Sequence, residues 1–221
     1  MIRHCKACGQ KNRIPAKHIA DSGRCGSQDC VQCHDNLAPT RVLGFGAIQL
    51  DLHAASGEIA LDDAIAMGWL SAPPTGTTPR FPLPASTGKE PAALGYLHAN
   101  CGHCHNPHSH VFTDNGVTMV LRETVGTLGS VAVTNPYMTA VSQPITTGLP
   151  MAVTNRCTPA NGMTDAGTPV PCLVARGYPD DSAMIVRFET TNPAFHMPAL
   201  ASKVMDPTGD ATLRAWITAI P

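Results

Sequence analysis

The stretch "LHANCGHCHNPHSH", residues 97–110, places two cysteines and five histidines within fourteen positions. At its centre lies the unit Cys101-Gly102-His103-Cys104-His105. The same Cys-x-x-Cys-His pattern recurs in "CVQCHDN", residues 30–36, as Cys30, Cys33 and His34. A chance match explains one such unit far better than it explains two, so both copies call for one chemistry.

That chemistry is the covalent attachment of haem. The two thiols of the pattern add across the vinyl groups of the macrocycle, and the imidazole that follows ligates iron from one axial side. The spacing therefore predicts two haem c groups, one on Cys30, Cys33 and His34 and one on Cys101, Cys104 and His105. An iron that exchanges electrons without changing its coordination takes a second axial ligand. For the second haem the candidate is Met197 in "AFHMPAL", residues 194–200, with His196 and Met205 as rivals. For the first haem Met67 ranks ahead of His53, and the ligand stays open between them. His98, His103, His108 and His110 read as a polar rim in contact with propionates or solvent. His108 and His110 follow His105 too closely to reach the opposite face of the same iron.

Around the motifs the chain divides into parts. Residues 1–29 form a cysteine-rich N-terminal segment, 30–71 a first haem-binding unit, 72–91 a linker and 92–221 a second, larger unit. The linker "APPTGTTPRFPLPASTGKEP" carries six prolines, a density that denies both helix and ladder hydrogen bonds. Before it, "GEIALDDAIAMGWL" predicts a helix with Ile59, Leu61, Ile65, Met67 and Leu70 as its apolar set. After it, "PAALGYLHANCGHCH" predicts a helix opened by Pro91. Residues 106–172 are rich in Thr, Gly, Pro and Asn and predict a large loop with short strands. A disulfide between Cys157 and Cys172 would close part of it. The clearest helix is "DPTGDATLRAWITAI", where Leu213, Trp216, Ile217 and Ile220 fall on one face.

Composition narrows the function classes. With 15 basic and 16 acidic side chains and no basic run, nucleic acid is not an expected partner. No apolar stretch is long enough to cross a bilayer. Nine cysteines exceed what an ordinary cytosolic enzyme carries, so ligands, anchors and disulfides must account for them. Aromatics make up only 5 %, against 19 glycines and 20 prolines; a bulky apolar cofactor would supply core that the side chains do not.

Residues 91–221 resemble a class I cytochrome c domain. The attachment motif ends the first helix, "GYPDDSAMIVRF" is similar to the Gly-x-Pro-x-x-Ser turn and helix of bacterial members, "MPAL" resembles the Met-Pro ligand loop, and "LRAWI" resembles the closing helix. Many members place a glycine and an aromatic eight and four residues before the first haem cysteine; Ala93 and Leu97 stand there in this chain. Residues 29–221 as a whole resemble bacterial exported proteins with paired haem motifs and no defined activity, some of them joined to quinoprotein dehydrogenase-like propellers. The resemblance implies a mainly α fold: a cytochrome c-like helical domain around covalent haem, long irregular loops and a smaller N-terminal haem-binding unit.

The first 26 residues are similar instead to the short zinc ribbon that precedes one kind of bacterial thioredoxin. That likeness implies zinc on Cys5, Cys8 and Cys25, but Gln28 stands where the fourth thiol would be. No apolar signal segment is visible in "MIRHCKACGQ", although covalent haem implies a periplasmic or extracellular protein.

These readings converge on a dihaem electron-transfer protein whose partners are a dehydrogenase, an oxidase or another cytochrome, in passing contact or as a subunit of a larger assembly. Two alternatives stand beside it: a dihaem peroxidase, which needs an open distal site and an acid-base residue, and a structural zinc protein that carries no haem.

Overall fold

A computed structural model of the chain describes residues 2–4, 11–13, 46–51, 58–109, 111–112, 118–145, 156–157, 170–199 and 204–221. The described residues are helix-rich, consistent with the mainly α expectation. Their α-helices are α1 (Ala47–Leu50), α2 (Leu61–Ala66), α3 (Glu90–Asn100), α4 (Asn135–Thr139), α5 (Ala183–Glu189) and α6 (Pro207–Ala219). One antiparallel pair of short strands, β1 (Ile2–His4) and β2 (Lys11–Arg13), stands at the N-terminus, with Ile2 opposite Arg13.

The C-terminal helix forms as its sequence pattern predicts. Asp206 caps it by accepting from the Thr208 N–H at 3.0 Å, and Pro207 fits a first turn where its missing N–H costs nothing. Leu213, Trp216 and Ile217 are buried on its inner face. They meet Ala93 and Leu97 of α3, Ile185 of α5, and Leu121, Val141 and Val174 in one core. Close approach of α3 to α6 depends on Gly209: a Cβ there would overlap the Tyr96 ring, 2.6 Å from its Cε2 and nearer still to Cζ. The Tyr96 hydroxyl then donates to Asp206 at 3.1 Å, and its ring meets Phe188 edge-on with centroids 6.3 Å apart.

Helix α3 owes its start to Glu90. Its carboxylate accepts from the Ser86 and Thr87 N–H groups at 3.1 Å and from the Thr87 hydroxyl at 2.8 Å. Burial pushes this carboxyl up, but the N–H donors of Ser86, Glu90 and Thr87 outweigh it and bring it down to about 2.

Two elements differ from the sequence expectation. The helix over "GEIALDDAIAMGWL" covers only Leu61–Ala66, and of its predicted apolar set Leu61 is buried while Ile59, Met67 and Leu70 are exposed. Gly68, with φ of 68°, explains the early stop. Its N–H donates to the Ile65 carbonyl and that of Trp69 to Ala64, which closes the helix one turn short. In the described part of residues 106–172 there are isolated bridges in place of strands, together with two 3₁₀ turns (Val125–Thr127 and Val131–Val133) and α4. Pro136 in the first turn of α4 favours helix over strand.

The proline-rich stretch is docked through its middle, from Thr78 to Leu83. Arg80 is almost fully buried and pairs with Asp62 at 2.6 Å, Thr78 donates to the same carboxylate, and the Phe81 N–H donates to the buried Asp51. Further on, Leu83 lies against Gly95 of α3. Cys157 and Cys172 are joined by a disulfide. The Cys172 carbonyl accepts from the Ala183 N–H at 3.0 Å, which ties the bridge to the start of α5.

Candidate functional site

The described part of the candidate site grows from the end of α3. The Cys101 N–H still donates to Leu97 as the last bond of the helix, and Cys104 and His105 then donate to the Cys101 carbonyl at 3.1 and 2.9 Å. The chain thus turns tightly over the motif, so Cys101, Cys104 and His105 share one small loop. Asn106 locks that loop with its side-chain amide, which donates to the carbonyls of Gly102 and His103 at 2.9 Å each. Gly102 is required where it stands. A Cβ on it would lie 2.7 Å from the His98 carbonyl and 2.9 Å from Arg122 Cα.

A second strand of chain backs the loop. Leu121 donates its N–H to the His105 carbonyl at 2.9 Å, and Glu123 donates its N–H to His98 Nδ1 at 2.9 Å. The segment 119–123 therefore runs beside the motif and fixes both ends of it.

The chemistry of the donor set follows from this burial. Neither Cys101 nor Cys104 is in a disulfide. Burial raises Cys101 to about 12, so its sulfur is protonated at neutral pH. His105 is buried and pushed down to about 4 by burial, against the opposing effect of the Met119 backbone and with a small contribution from Arg187. It is therefore a neutral imidazole at neutral pH, the form that binds iron. Its Nδ1 is buried and makes no hydrogen bond of full geometry, though the Met119 backbone lies close enough to act on it.

Met197 is half-buried and donates its N–H to the Arg187 carbonyl at 2.8 Å. The Arg187 side chain also acts electrostatically on His105. His196, the rival ligand, turns its Nδ1 to the Thr190 carbonyl at 2.8 Å. The Met205 rival is half-buried just before α6. Met67 follows the last residue of α2 and is 48 % exposed. Cys5, Cys8, Cys25, Cys30, Cys33, His34, His53 and His110 lie outside the described residues. The connection that holds Cys5 and Cys8 joins β1 to β2.

Sequence reasoning placed His98 among the rim imidazoles, but it is buried at 7 % exposure and serves the Glu123 backbone. His108 is exposed, as a rim residue would be. Glu123 was not anticipated. It is 2 % exposed, and nothing in its local sequence distinguishes it from a surface carboxylate.

The residues present fit a covalently bound haem on these observations: two thiols outside any disulfide on one tight loop with a neutral imidazole. Trp216 Nε1 is also a buried donor without a partner, and its core packs against Cys101. Among the described residues no three His, Cys, Asp or Glu side chains cluster as a site for a bare metal ion, and no helix is long and apolar enough to cross a membrane. A separate cavity of about 580 Å³, lined by Leu83, Glu90, Val131, Tyr137 and Ile220 among others, opens at the opposite end of α3 from the thiols. No protein-family model, curated protein or solved structure matches the chain.

Proposed function

We propose that the chain is a dihaem c-type cytochrome that passes single electrons between redox protein partners. Cys30, Cys33 and His34 would hold one haem, and Cys101, Cys104 and His105 the other, with Met197 as the second axial ligand of the latter. The observation that carries this reading is the arrangement at the end of α3, where two thiols outside any disulfide precede a buried imidazole kept neutral by its surroundings. Haem c would supply a one-electron iron couple whose potential a thioether raises relative to a second imidazole.

The protein's part is to hold that couple still. Asn106, Gly102 and the Leu121 hydrogen bond fix the loop that carries His105, while the crossing of α3 and α6 packs a rigid core behind Cys101. Burial of the ligands limits solvent rearrangement when charge changes, which favours outer-sphere transfer to a partner at an exposed haem edge. The disulfide and the covalent attachment chemistry together support a periplasmic or extracellular setting.

A reduced pyridine haemochrome spectrum, read beside the intact mass of the protein from its native host, tests the reading. Two covalent haems per chain are expected. A colourless chain of unmodified mass would sink it.

A further inference from the structure

Among the described residues Glu123 is a buried carboxylate tied by its backbone to the helix that leads into the motif. It is 2 % exposed. Oε2 accepts from the Thr127 hydroxyl at 2.9 Å and from the Asn135 N–H at 3.3 Å, while Oε1 is buried with no hydrogen-bond partner. An ionised carboxylate with one oxygen unpaired is costly in a low-dielectric setting, which brings the protonated form within reach.

The groups that meet its carboxyl are neutral donors. On the α3 side its own N–H donates to His98 Nδ1. From the 3₁₀ turn comes the neutral Thr127, and from α4 the Asn135 backbone. Arg122 is its neighbour in sequence, with the carbonyl bound to the Asn135 side chain at 2.6 Å. Burial raises the carboxyl above the ordinary range, and the Thr127 and Asn135 donors only partly offset that.

The connection to the haem site is short, running along the backbone and then through a packing contact and a hydrogen bond. Arg122, next to Glu123, packs on Gly102 between the two thiols, and Leu121 is hydrogen-bonded to His105. His98, held by Glu123, stands one helical turn before Cys101. A change of one charge at an iron held by His105 is felt across this packed, water-poor interval.

We propose that Glu123 is a redox-linked proton site of the second haem, an inference that rests on the electron-transfer reading. When an external donor delivers one electron to the iron at His105, Glu123 takes one proton from solvent on its carboxylate; when an acceptor removes the electron, the proton returns to solvent. Each transfer then moves one electron and one proton together, and the net charge of the buried region is unchanged.

The test is a spectroelectrochemical titration of the full haem-loaded chain over a series of pH values, comparing the wild type with Glu123→Gln and Glu123→Asp. Proton uptake on reduction makes the potential of one haem fall as pH rises, between the oxidised-state and reduced-state pKa values of Glu123. The slope is expected to vanish in Glu123→Gln and to persist, displaced in pH, in Glu123→Asp. Reduced-minus-oxidised infrared spectra of the wild type give a reading that needs no variant, since a protonated-carboxyl C=O band should appear on reduction. A haem-loaded wild type with a flat potential and no such band overturns the proposal, as does a Glu123→Gln chain that keeps the slope. A chain without covalent haem would overturn the electron-transfer reading itself, and is recognised by its mass before any titration.

Discussion

The Tyr96 ring fills the space that Gly209 leaves by having no side chain, and α3 and α6 cross at that contact. Gly209→Ala should therefore destabilise the chain by about 1–3 kcal/mol, the usual cost of forcing extra volume into a packed contact. Urea unfolding would measure it. In a Tyr96→Ala background the same change should cost much less, and equal costs in both backgrounds would show that the ring is not the obstacle.

Glu90 ties the start of α3 to the turn before it, and its carboxyl is brought down to about 2 in the folded chain. A depressed carboxylate contributes stability above its unfolded pKa of about 4.5, and that contribution is lost as pH falls from there towards 2. Glu90→Gln should remove on the order of 2 kcal/mol at neutral pH. The difference between wild type and variant should shrink through this acid window in thermal melts at stepped pH. A constant difference would mean that the ionised carboxyl is not the stabilising form.

The disulfide between Cys157 and Cys172 closes a loop of sequence separation 15. Replacing both cysteines by serine should cost about 3 kcal/mol, chiefly through a less restricted unfolded chain. Denaturant midpoints with and without a reductant provide the comparison. A wild-type midpoint that does not respond to reductant would argue that the bridge does not form in the isolated protein.

Met197 is the proposed second axial ligand of the haem on His105, and its N–H donates to the Arg187 carbonyl. In the haem-loaded protein Met197→His should lower the reduction potential of one haem and leave the other in place, since an imidazole favours the oxidised iron more than a thioether does. Redox titration followed in the visible spectrum reads both. Two unmoved potentials would remove Met197 from the axial position and turn attention to Met205.

Much of the helical frame is legible in the chain itself. The period of Leu213, Trp216 and Ile217 gives α6, and Pro91 marks the opening of α3. Both are local signals, since each depends on spacing along a few turns. The apolar run before the linker misleads for the opposite reason: Gly68 in a left-handed conformation ends α2 before Met67, Trp69 and Leu70 can join its face. A side-chain pattern cannot show where the backbone will turn.

What the sequence by itself determined is the chemistry on offer: the thiols and imidazoles of both motifs, the cysteines able to pair, and a thioether beside Pro198. Those properties belong to residue types at short spacing. Only the tertiary structure decided that His98 serves a backbone N–H rather than a haem rim and that Glu123 is buried with one oxygen unpaired. Each of those facts needs two segments far apart in the chain to pack together, and burial, which sets the charge state of a carboxyl or an imidazole, exists only once they have done so.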